Sequence, residues 1–122
     1  MKLIIAGSRT LNPKFGFIEG AVNMLIPGSY LSVKEVVCGM APGVDDCGLK
    51  WALLHGKSLI EFPADWEAHG KAAGPIRNKE MAQYGDALLL IWDGKSRGSA
   101  NMKLEMEKLG KPVYEVVVKS PS

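Results

Sequence analysis

Ala87-Leu88-Leu89-Leu90-Ile91-Trp92 is an unbroken apolar run, closed by Asp86 on one side and by Asp93-Gly94 on the other. Six residues are too few for a buried helix of ordinary length, and no polar residue alternates with them, so the run predicts a strand covered on both faces. Residues 3–6, 36–38, 58–62 and 113–118 are similar short runs bounded by Gly, Pro or Asp and predict four more strands. A strand with two buried faces needs a layer on either side, and parallel strands joined by helices supply one.

The intervening segments carry helical periodicity. Phe17, Ile18, Ala21, Val22, Leu25 and Ile26 recur at i, i+3/i+4, with Asn12-Pro13 as the expected start and Pro27-Gly28 as the stop. Val44, Cys47, Trp51 and Leu54 mark a second helix ending near Gly56; Met102, Met106 and Leu109 mark the last, closed by Gly110 and Pro112. Residues 63–74 read as an irregular polar stretch, and residues 75–84 as a short helix with Gly85 as its C′ residue. The expected fold is α/β: a Rossmann-like, doubly wound, mainly parallel five-stranded sheet in the order 3-2-1-4-5, helices on both faces, one domain spanning 1–122.

The 15 Lys and Arg against 13 Asp and Glu leave a net charge of +2, too small to argue for nucleic acid or a membrane surface by field alone. The longest apolar run falls far below the roughly 18 residues that suggest a membrane span. Cys38 and Cys47 show neither C-x-x-C nor zinc-type spacing, and Met1 leads directly into a strand rather than a signal peptide, so a reduced, cytoplasmic protein is expected. No metal site or cofactor is expected, because His55 and His69 lack partners at ligand spacing.

In a doubly wound sheet, ligands bind beyond the carboxyl ends of the strands, where strands one and four diverge. Three loops fall on that edge: Gly7-Ser8-Arg9-Thr10, the stretch from Gly39 through Gly43 to Asp45, and Asp93-Gly94-Lys95-Ser96-Arg97-Gly98-Ser99. Glycines let backbone approach a ligand, amides at a helix start favour an anion, and Arg binds phosphate bidentately, so the three together predict a phosphate-cradling crevice. Neither G-x-x-x-x-G-K-[S/T] nor G-x-G-x-x-G occurs. Asp45 would hold a ribose hydroxyl, act as a base, or simply cap the second helix. Arg77 and Asn78 follow Gly74-Pro75-Ile76 and are read as contacts to phosphate and to base or sugar, against a surface helix as the alternative. Trp66 is either a base-stacking lid or a packing anchor, with Asp65 and Glu67 as candidate proton-transfer groups beside it. Asp86 is read as a turn residue at the opposite end of the sheet.

Ile4-Ile5-Ala6-Gly7-Ser8-Arg9, Val37-Cys38-Gly39-Met40-Ala41-Pro42-Gly43-Val44-Asp45, Phe62-Pro63-Ala64-Asp65-Trp66, Gly74-Pro75-Ile76-Arg77-Asn78 and the segment from Trp92 to Ser99 together resemble the SLOG superfamily, named for the DNA-processing protein A and lonely-guy groups, and within it the small YspA/YpsA-related members. The resemblance spans most of the chain. It implies a Rossmann-like fold and a site for a nucleotide or nucleotide-derived molecule, with lonely-guy relatives cleaving the base from a nucleoside monophosphate. Cys38-Gly39 stands where Gly-Gly is usual and Ser99 where Thr is usual. The lonely-guy P-G-G-x-G-T-x-x-E segment, with its catalytic Glu, is not reproduced around residues 94–102.

The expected function is therefore binding or sensing of a nucleotide-derived small molecule. The alternative is an N-glycosidic-bond hydrolase acting on a nucleoside monophosphate, with Asp45, Asp65 or Glu67 stabilising the oxocarbenium-like centre or activating water. Nucleic-acid binding lacks the interleaved basic and aromatic stripe it requires. A homo-oligomer is compatible with the sheet edges and with Met and Leu positions on the last helix.

Overall fold

A computed structural model of the chain describes residues 1–7, 15–39 and 44–118, with side chains omitted at 15–16 and 44–47. The elements run β1 (Lys2–Gly7), α1 (Phe15–Leu25), α2 (Ser29–Ser32), β2 (Glu35–Cys38), α3 (Val44–Leu54), β3 (Ser58–Glu61), α4 (Trp66–His69), a 3-10 turn (Gly70–Ala72), α5 (Ala73–Tyr84), β4 (Ala87–Trp92), α6 (Arg97–Lys108) and β5 (Val113–Val117). The strands form one sheet in the order β3-β2-β1-β4-β5, and every pairing is parallel. This is the Rossmann-like α/β arrangement that the apolar runs predict.

Period-two geometry sends alternate residues of each strand to opposite faces. Leu3 and Ile5 of β1 with Ala87, Leu89 and Ile91 of β4 pack beneath α1 and α3, against Ile18, Val22, Trp51 and Ala52. Ile4 and Ala6 with Leu88, Leu90 and Trp92 pack against Met81 and Ala82 of α5 and Met102 and Met106 of α6. All six residues of β4 are buried. Each fully buried Leu or Ile there contributes about 1.5–3 kcal/mol of transfer free energy, so this strand and its neighbour β1 anchor both layers.

Burial on both faces does not extend to the sheet edges. β3 and β5 are only partly buried, because each has a neighbour on one side alone. Their ladders run one residue past the strands as bounded: Phe62 donates to the Cys38 carbonyl at 2.9 Å, and Val118 to that of Trp92 at 2.8 Å. On the α1 side, His55 stacks on Tyr30, meets the Trp51 ring at a tilt of 41° and bonds to Glu19, tying α1, α2 and α3 together.

Residues 63–74 are more regular than expected. Asp65 Oδ1 accepts from Ala68 N at 3.1 Å and starts α4, and α5 begins at Ala73 rather than Pro75. Pro75 falls in the first turn, where its missing N–H has no intrahelical partner to lose. Gly85 ends α5 in an extended conformation, φ −77°, rather than as a left-handed cap. It is glycine for space: a Cβ there would stand 2.6 Å from Ile4 Cδ1. Leu109, read as part of the apolar stripe of α6, lies beyond the helix and is exposed.

The capping work at α5 falls to Lys111, whose ammonium donates to the carbonyls of Ala82 (2.8 Å), Gln83 (3.0 Å) and Gly85 (2.7 Å). A cation at a helix C-terminus also meets the favourable end of the helix dipole. Lys111→Met keeps the stem but leaves those carbonyls to water; the expected loss is about 1–2 kcal/mol, seen as a melting temperature lower by about 3–8 °C in thermal denaturation followed by circular dichroism.

Candidate functional site

The order of the strands decides where a ligand can sit. β1 and β4 are neighbours, with Gly7 paired to Ile91, yet α1 covers one face and α6 the other. The helices that follow these two strands lie on opposite faces, which makes their carboxyl ends the switch point where ligands bind in open α/β sheets. Gly7, Gly39 and Asp93 stand on this edge at the ends of β1, β2 and β4. Ser8, Arg9, Thr10 and Gly43 lie outside the described residues. Asp45 is the second residue of α3, and its side chain also lies outside the description.

The loop after β4 is ordered by its own acid. Asp93 Oδ1 accepts from the amides of Lys95 (2.8 Å) and Ser96 (2.9 Å), while Gly94 turns at φ +83°. Those two amides are thus engaged by a carboxylate of the loop itself. Donors for an external anion begin one step later, in the first turn of α6, where Arg97, Gly98 and Ser99 lack intrahelical acceptors. Ser96 precedes the helix in extended geometry, and its side chain makes no capping bond. Lys95 and Arg97 are exposed, whereas Ser99 is only 6% exposed. A Cβ added at Gly98 would meet nothing within 4 Å among the described residues, which leave the surface over this first turn uncovered.

Arg77 and Asn78 of α5 reach this edge but are engaged within the chain. Asn78 is 5% exposed and donates to Gly98 O (3.2 Å) and Asn101 Oδ1 (2.9 Å), fixing the start of α6 against α5. Arg77 donates through Nη1 to Gly39 O (2.8 Å) and through Nε to Asn78 Oδ1 (3.3 Å). The guanidinium crosses the end of β2 so closely that a Cβ at Gly39 would stand 2.7 Å from Nη1. Gly39, Arg77, Asn78 and Gly98 form one linked floor beneath the edge. Asn101, one turn beyond Gly98, completes it and was not singled out by sequence reasoning.

A second link was also missed. Trp92, the last residue of β4, donates Nε1 to Glu115 Oε2 at 2.6 Å, and Lys103 bonds Glu115 Oε1 at 3.1 Å. The Lys103 ammonium, then the Trp92 donor, hold the Glu115 carboxyl below its usual range despite opposition from partial desolvation. The pairing became visible only once β5 lay beside β4, with Glu115 opposite Leu90.

Trp66 is 51% exposed on α4, with its ring edge 3.6 Å from the position of a Gly74 Cβ. Its open face leaves room to cover a planar ligand. Asp65 is committed to capping α4, and Glu67 is exposed in the first turn of that helix. Among the described residues no hydrogen bond or ion pair joins either carboxylate to the loop after β4, and no three His, Cys, Asp or Glu side chains gather at metal-binding distance. Asp86 accepts from Lys2 N at 2.8 Å, at the opposite edge of the sheet. No helix among the described residues is long and apolar enough to cross a membrane.

The Gene 61 protein of Mycobacterium phage D29 is 35% identical to this chain over 118 residues, covering 92% of this chain and 93% of that protein. No family model matches the chain. No solved structure gives a significant match.

Because the folded state holds Glu115 ionised more strongly than an unfolded chain does, its contribution is present above the ordinary carboxylate range and is lost as pH falls through the lowered folded value. Glu115→Gln is expected to flatten the acid limb of the stability–pH curve between about pH 5 and pH 3. Urea unfolding monitored by tryptophan fluorescence at stepped pH measures it, with little difference between the variants expected near the acid end.

Proposed function

This chain belongs to the family of the Gene 61 protein of Mycobacterium phage D29, and we propose that it binds a nucleotide or nucleotide-derived small molecule at the carboxyl edge of its sheet, as a SLOG-type sensor or binding module of the cytoplasm. The observation that carries the reading is the open first turn of α6 at the β1/β4 switch point, where Gly98 leaves room for a ligand between the exposed Lys95 and Arg97. A phosphate there takes amide donors and the positive end of the helix dipole, about 0.3–1 kcal/mol for the dipole alone and more where water is excluded. The Arg77–Asn78 floor fixes this turn in advance, so little ordering entropy is lost on binding. Trp66 supplies a flat apolar surface for a base, and Ser8, Arg9 and Thr10 at the end of β1 would complete the anion contacts.

The hydrolase alternative draws on the same edge. With Asp65 held by Ala68 N, its carboxylate would come from Glu67, beside the exposed Trp66, or from Asp45. Release of free base from a nucleoside monophosphate, lost in the Glu67→Gln, Asp45→Asn double variant, would identify that activity.

Titration calorimetry against nucleoside mono- and diphosphates, cyclic dinucleotides and ADP-ribose is expected to find at least one ligand. Gly98→Leu places bulk on this turn at a position where a Cβ meets nothing among the described residues, so it is expected to weaken that ligand at least about tenfold, or 1.4 kcal/mol, with an unchanged melting temperature. Absence of binding across the whole panel overturns the reading.

A further inference from the structure

Helix α1 and the edge strand β5 enclose an open apolar groove of about 610 Å3, lined by Phe17, Gly20, Ala21, Met24 and Leu25 on the helix and by residues 115–117 on the strand. Met24 is 85% exposed at its rim, and Phe17 is 41% exposed. Nothing within the described chain accounts for Gly20. A glycine inside a helix costs about 1 kcal/mol relative to alanine, and here a Cβ would meet nothing within 4 Å among the described residues. β5 pairs with β4 alone, and its five residues include neither the Pro nor the Lys that commonly blunts an edge.

We propose that the groove receives helix α1 of a second copy of this chain, related by a two-fold axis, so that two α1 helices lie side by side between the two β5 strands. The lengths agree: the 11 residues of α1 make a rod about 16 Å long, and the 5 residues of β5 span about 17 Å. The patch carries both halves of a contact, a recess at Gly20 and Ala21 and a projection at Met24, which a two-fold axis brings together twice. Gly20 lets the helix axes approach to about 8 Å, the close end of helix packing.

Charge permits like to meet like here. Glu115, the charged residue of the lining, is bonded to Lys103 and Trp92, and Glu19 of α1 is bonded to His55. A common dimer interface takes about 800 Å2 from each partner, an eighth of the 6732 Å2 surface. Phe17, Met24, Leu25 and Val117, 41%, 85%, 36% and 61% exposed, supply the apolar part of it. The inference is independent of the ligand reading, since its residues lie outside the Arg77–Asn78–Gly98 floor.

Sedimentation velocity over about 1–100 μM protein tests it, and a dimer with a dissociation constant in or below that range is expected. Met24→Glu is expected to weaken association at least about tenfold without altering helix content or melting temperature, because the side chain is exposed in the single chain. Gly20→Leu fills the recess at a position where a Cβ meets nothing among the described residues and is expected to act in the same direction. A wild type that stays monomeric throughout overturns the proposal and leaves the groove to a different occupant; a Met24→Glu chain that dimerises as tightly as wild type overturns it equally.

Discussion

The pairing of β1 with β4 is the contact on which the rest of the molecule depends. Both strands are apolar on both sides, so neither finds a stable place until helices cover the two faces at once. That requirement sends α1 and α3 to one layer and α5 and α6 to the other. Once the layers separate, the helices that follow β1 and β4 fall on opposite faces, and a switch point at the strands' carboxyl ends is a geometric by-product of burying them. The position of the site is thus set by the hydrophobic effect, while its chemistry is left to the loops.

Polar side chains then fix what the apolar core leaves loose. Asn78 and Arg77 tie α5 to the starts of α6 and the loop after β2, and Lys111 gathers the carbonyls at the far end of α5. Each end of α5 is held by groups from distant sequence, so a helix with few apolar residues of its own, Met81 and Ala82 among the buried ones, still has one defined position.

The sheet, its order and the main helices were legible in the sequence because they follow from periodicity, a property of near neighbours. Residues 87–92 and the stripe from Phe17 to Ile26 carried that signal plainly. What escaped was long-range or sterically specific. Gly85 looked like a helix cap because a glycine after a helix commonly is one, yet its role is to admit Ile4, a residue more than eighty positions away. Asp65 was singled out as a candidate acid, and its bond from Ala68 N at the start of α4 was not foreseen. Glu115 and Asn101 gave no local sign, since their partners Trp92, Lys103 and Asn78 become neighbours only in the folded sheet. The floor formed by Gly39, Arg77, Asn78 and Gly98 was half visible: the residue types were singled out, but their bonds to one another were not.

Asp93 fixes the shape of this edge locally. By accepting from the amides of Lys95 and Ser96, its carboxylate already plays the part of an anion for its own loop. The turn is therefore braced from within, and its shape follows from the residues of the loop itself. The entry to α6 is thereby set by a polar residue of its own loop, apart from the apolar packing that sets the sheet.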